Sequence, residues 1–169
     1  LLSLAGAPAA GVFAAAHRAI DAATLPLTAF VTAAAPRIYR AAGAPRAVLA
    51  LLPVPLLGAA GLGVAVWFAA PLLRWLLGPG YEAAVGPTRM LGALPLFSLL
   101  RMLSVTALVA SGRQQVLMFI SFLAGGASAL LAIGLVPLLG PAGAVYSLYL
   151  VEGLVVLAAL FVFRSQWQA

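Results

Sequence analysis

Gly11–Ala35 reads GVFAAAHRAIDAATLPLTAFVTAAA, an almost wholly apolar run that carries His17, Arg18 and Asp21 within about a turn and a half of helix. Its length suits a bilayer crossing, for which ~20 residues cover ~30 Å of hydrocarbon. An ionisable side chain in that layer is costly, so it ordinarily faces a bundle interior or a wet cavity rather than lipid. The remainder of the chain must supply that interior.

Composition agrees with a membrane setting. Of the 169 residues, 65% are hydrophobic and 7% charged, against about 25% charged in a soluble domain. Mean hydropathy is +1.18. The nine basic residues are all arginines, facing three acids, Asp21, Glu82 and Glu152. The arginines are scattered among apolar spans rather than gathered on one face, so nucleic acid is not an expected partner. The absence of cysteine excludes disulfides and thiolate metal sites. Leu1 is neither a Met nor preceded by a basic segment, so no signal peptide is read and the chain is expected to be a fragment.

Leu1–Ala10, LLSLAGAPAA, is too short to span and holds a Gly-Ala-Pro break, which reads as the end of a preceding span and an outer turn. Spans are expected over 11–35, 47–70, 90–110, 116–136 and 144–163. The fold class is therefore all-α, a polytopic integral membrane bundle of about five transmembrane helices. Pro26 is expected to bend the first span, a distortion that neighbouring helices tolerate in a membrane. In the second span Gly58, Gly61 and Gly63 invite close helix approach, and in the fourth Ser121, Gly125 and Ser128 line up as a small-residue packing face. The longest connection, PLLRWLLGPGYEAAVGPTR, places a helix end at Leu72–Leu77 and a turn at Gly78-Pro79-Gly80. Trp67, Trp75 and Tyr81 fall at that interface.

Arginine placement gives an orientation. Arg37, Arg40, Arg46, Arg113 and Arg164 fall on one side, where the last span ends near Trp167, and only Arg74 and Arg89 on the other. The positive-inside rule then makes the C-terminus of this multi-pass chain cytoplasmic and puts Leu1 outside, which calls for an upstream span.

Spans one, three and five enter from the same face. Counted from their outer ends, Arg18 and Asp21 lie ~10–15 Å deep and Arg101 and Glu152 ~12–17 Å deep, so the four form one expected layer. Ser98 and Ser104 flank Arg101, and Tyr146 and Tyr149 precede Glu152. Two readings stay open on spacing alone: structural pairs, Arg18 with Asp21 and Arg101 with Glu152, or a cationic, partly wet cavity for an anionic head group. His17 reads first as a polar neighbour of Asp21. No nucleophilic set, metal-ligand cluster or phosphate loop is present, so no catalytic residue, metal or cofactor is expected and an enzyme is not indicated.

Four segments carry a family likeness: AGAPAAGVFAAAHRAI, LLRWLLGPGYEAA, ALVASGRQQ and LAIGLVPLLGPAGAVYSLYLVEG. In this order they resemble the second half of polysaccharide flippases of the O-antigen and teichoic acid type. These belong to the MOP superfamily, which also holds lipid II flippases and MATE drug exporters. The shared order is a Gly-Val-aromatic span start, Leu-Leu-Gly-Pro-x-Tyr, an Ala-x-Gly-Arg turn at Arg113, and Leu-Val-Pro then Gly-x-x-Gly-Ala before an acidic span. Where members often have Asn ahead of that Leu-Val-Pro, this chain has Ser128 and Ala132.

The resemblance implies two six-helix lobes around a cavity that alternates between faces. The cargo would be a polyprenyl-pyrophosphate-linked oligosaccharide crossing the bacterial inner membrane, and this chain the C-terminal lobe. It implies as partners the lipid-linked oligosaccharide, membrane lipids and the missing N-terminal lobe. Arg18, where members often have a basic residue, and Arg101, which lies outside the shared motifs, become substrate-binding candidates for the pyrophosphate. His17, Asp21 and Glu152 are the buried polar or ion-pair candidates. The alternatives are a MATE-type exporter, in which Asp21 and Glu152 carry cation coupling, and a non-transporting membrane fragment.

Overall fold

Within hydrocarbon the backbone must satisfy its own hydrogen bonds, and the apolar runs do so as helices. A computed structural model describes the backbone of residues 2–167 and the side chains of 10–44, 46–78 and 80–162. The α-helices are α1 (Leu2–Arg40), α2 (Pro45–Leu51), α3 (Pro53–Ala69), α4 (Leu73–Leu77), α5 (Val85–Met90), α6 (Leu94–Ala110), α7 (Gln114–Leu139) and α8 (Pro141–Trp167). Short 3₁₀ turns join α3 to α4, α4 to α5 and α5 to α6, and no strand occurs among the described residues. Five segments are long and apolar enough to cross a membrane: Ala10–Arg40, Pro53–Leu77, Gly80–Ala110, Gln114–Leu139 and Pro141–Val162. The chain is an all-α, multi-pass membrane bundle.

Three boundaries differ from the sequence expectation. The outer turn expected at Gly6–Pro8 is absent, because α1 is helical from Leu2. α1 also continues through Pro26, where the hydroxyls of Thr24, Thr28 and Thr32 donate to carbonyls three or four residues back at 2.8, 3.3 and 2.8 Å. The connection between spans two and three has the expected helix end, α4, and the expected turn at Gly78, φ 95°, but continues as 3₁₀ and α-helix from Pro79 to Met90. Hydropathy marks where a chain partitions, whereas these interfacial residues are held by local backbone bonds. α7 likewise runs past Pro137 to Leu139 and turns at Gly140, φ 59°. The side chains of Arg164 and Trp167 lie outside the described residues.

α1 buries one stripe, Ala16, Ile20, Thr24, Leu27, Val31, Ala34 and Ile38, at the three- and four-residue spacing of an amphipathic helix. Its lower half packs with Ala59 of α3, Leu99, Leu103 and Ala107 of α6, and Ala159 of α8. Its upper half packs with Leu91, Leu94 and Val145. These contacts set the register of the bundle: Ile20 is level with Leu91 and Leu94, and Thr28 reaches Met102.

Close approaches at Gly63 and Gly43 need glycine. A Cβ on Gly63 would collide with the carbonyl of Gly92, and one on Gly43, φ 73°, would collide with the carbonyl of Ala107. Gly58 and Gly61 face open space and are not packing positions within this chain. Nor are Ser121 and Gly125, which are exposed; the half-buried face of α7 lies one residue round, through Leu117, Ile120, Ala124, Ala127 and Leu131. Spacing identifies a face, but larger side chains beside it give α8 more apolar surface to cover.

Candidate functional site

The most enclosed charges are Arg101 of α6 and Glu152 of α8. Nε of Arg101 donates to Oε1 of Glu152 at 3.1 Å and lies 2.8 Å from Oε2. Glu152 is deeply placed, with 12% of its side chain exposed against 39% for Arg101. Its Oε2 is buried and accepts no aligned hydrogen bond among the described residues. The carboxylate engages only Nε, so both Nη nitrogens of the guanidinium have no protein partner among the described residues. Such a group is oriented by one anion and can still present its planar donor fork to a second.

Tyr149, one turn before Glu152, donates its hydroxyl to the carbonyl of Met90 at 2.6 Å and tilts against the ring of Phe97 at 5.5 Å. It ties the outer part of α8 to the start of the α6 crossing. Ser98 and Ser104 are buried on α6, whereas Tyr146 is exposed and does not join the pair.

The candidates on α1 are arranged otherwise. Asp21 accepts from His17 Nδ1 at 3.0 Å, one turn back, in a pair whose carboxylate side chain is 62% exposed. The expected Arg18–Asp21 pair is not formed. Arg18 is exposed, on the side of α1 away from the buried stripe, and has no hydrogen-bond or ion-pair partner among the described residues. His17 turns toward the bundle, with its ring 5.9 Å from that of Phe13, and borders a 270 Å³ cavity lined also by Ser128, Ser147 and Val136.

The four charges occupy two tiers rather than one layer. Gly43 and Ser111 lie together at one end of the bundle. Arg101 is ten residues from Ser111, or ~15 Å along its helix, and Arg18 is twenty-two from Arg40, or ~33 Å. Measured from that end, Arg101 and Glu152 sit about half as far along the bundle as the His17, Arg18 and Asp21 cluster. Depth counted from Gly11 was misleading because α1 extends well beyond it.

Two cation–π contacts escaped the sequence reading: Arg74 lies over Trp75 at 5.4 Å and Arg89 over Trp67 at 5.7 Å. No sequence signal pairs Arg89 with Trp67, which come together only when α5 folds against α3. Among the described residues no three His, Cys, Asp or Glu gather as metal ligands. A scan against protein-family models and searches of curated proteins and of solved structures returned no match to the chain.

Proposed function

We propose that this chain is the C-terminal lobe of a bacterial inner-membrane flippase, with a cytoplasmic C-terminus. In this reading it moves a polyprenyl-pyrophosphate-linked oligosaccharide by alternating access. The observation that carries the reading is Arg101: a guanidinium partway along the bundle, oriented by Glu152 through Nε, with its Nη donors unpartnered among the described residues. A cation kept in hydrocarbon with spare donors suits an anionic head group in transit. Arg18 supplies a second cation farther along the bundle, on a face that the bundle leaves open. Glu152 keeps Arg101 aimed while no cargo is bound. Cargo drives the change of access only in so far as it binds the inward and outward states differently, and two cations at different depths offer that difference.

The test uses the full-length protein in a strain lacking its own copy. Arg101→Ala and Arg18→Ala should each reduce surface polysaccharide per copy of inserted protein, with export normalised to the amount of each variant in the membrane. Undiminished export from both variants would end the head-group reading. Loss of dye efflux with intact glycan export would instead place the chain among cation-coupled exporters.

A further inference from the structure

α3 and the start of the α6 crossing meet backbone to backbone at Gly63 and Gly92, so no side chain fills the space on the outer side of that contact. The result is a 620 Å³ groove whose lining includes Ala59, Ala60, Gly63, Trp67, Arg89 and Ala93. Arg89 is the one charged residue that lines it. From Ala59 to Trp67 the groove follows α3 for eight residues, ~12 Å along the direction in which the helices cross the membrane. Its deep end is apolar and its mouth holds Trp67, with the guanidinium carbon of Arg89 over the ring at 5.7 Å. A cation–π contact of this kind uses none of the guanidinium's hydrogen-bond donors. Arg89 has no carboxylate within ion-pair distance among the described residues.

We propose that this groove binds one acidic phospholipid, with an acyl chain along Ala59, Ala60 and Gly63 and the head-group phosphate on Arg89. Charge complementarity selects the occupant. A zwitterionic lipid would fill the apolar part equally well, but its choline would meet the same cation that attracts the phosphate. Trp67 provides the amphipathic ring that sits at the boundary between chain and head group. The site lies on the α3 side of α6, whereas Glu152 reaches Arg101 from α8, so it does not depend on the transport reading.

The groove contains its own reporter. With Trp75→Phe, Trp167→Phe and any tryptophan outside this chain replaced likewise, Trp67 is the sole reporter, and lipids with brominated acyl chains will quench it on contact. In mixed micelles brominated phosphatidylglycerol should quench at about one-fifth the mole fraction needed for brominated phosphatidylcholine, the contribution of one basic side chain toward anionic lipid. Arg89→Gln should abolish the preference, while Arg89→Lys and Arg74→Gln should keep it. Equal quenching by the two lipids, a preference that survives Arg89→Gln, or one lost as fully in Arg74→Gln would overturn the proposal. Should Arg89→Gln fail to fold, Ala60→Phe serves instead: it fills the groove and should weaken quenching by both lipids, and unchanged quenching would equally overturn the site.

Discussion

Arg101 meets Glu152 through Nε, 3.1 Å from Oε1 and 2.8 Å from Oε2, so among the described residues the pair uses one donor of the guanidinium. Removing Arg101 strands a buried carboxylate, whereas removing Glu152 leaves a partly exposed cation. Arg101→Ala should therefore destabilise the protein more than Glu152→Ala. Breaking a buried pair costs about 3–5 kcal/mol, here reduced to about 1–3 kcal/mol by the 39% exposure of Arg101. Thermal unfolding in detergent measures this, and the exchanged double variant Arg101→Glu/Glu152→Arg should recover much of the loss.

Gly63 and Gly92 are fixed by backbone contact, so their substitution is a packing experiment. Gly63→Ala must push α3 away from the Gly92 carbonyl and should cost about 1–3 kcal/mol, as overpacking does. Gly58→Ala and Gly61→Ala meet nothing and should leave unfolding temperature unchanged or slightly raised, since alanine is the better helix former. Equal effects at all three positions would contradict the close crossing.

Tyr149→Phe keeps the ring against Phe97 and deletes only the hydroxyl that reaches Met90. The loss should be about 1 kcal/mol, the usual net worth of a hydrogen bond. Hydrogen exchange at the end of α5 and the 3₁₀ turn after it should speed up in this variant, because Met90, which accepts the bond, ends α5.

The chain has no native cysteine, which makes sidedness directly testable. Single cysteines at Ala44 and Gln115 should react with a membrane-impermeant maleimide from one side, and those at Gly80 and Leu139 from the other. All four positions are exposed in the fold. Labelling of Ala44 and Gln115 from the cytoplasmic side would fix the orientation that the arginines imply.

The number of crossings and the Arg101–Glu152 pair were legible in the sequence, for related reasons. A run of ~20 apolar residues has few other uses, and two opposite charges in such runs seek each other. Partner choice at Asp21 was not legible, because His17 and Arg18 sit one turn and slightly less away and both spacings allow contact. The outward face of Arg18 was equally hidden: periodicity shows which residues share a face, and only packing shows what that face meets. The α7 stripe failed for the same reason, since Ser121 and Gly125 share a face that α8 does not cover. The helix end at Leu72–Leu77 and the turn at Gly78 were legible, but the helical stretch from Pro79 to Met90 was not, because its glycines and prolines mark turns in water, where competing hydrogen bonds are plentiful.

α7 and α8 are joined at Gly140, and a Cβ on Gly143 would strike the backbone of Leu135, so the two helices form a close hairpin. From Gln114 to Val151 that hairpin contains no charged residue. During biosynthesis its tip can pass through the bilayer at no electrostatic cost, both helices inserting as one piece. Arg113, just before α7, and Arg164, towards the end of the chain, are the charges that flank the hairpin, and both favour its threading from the same side.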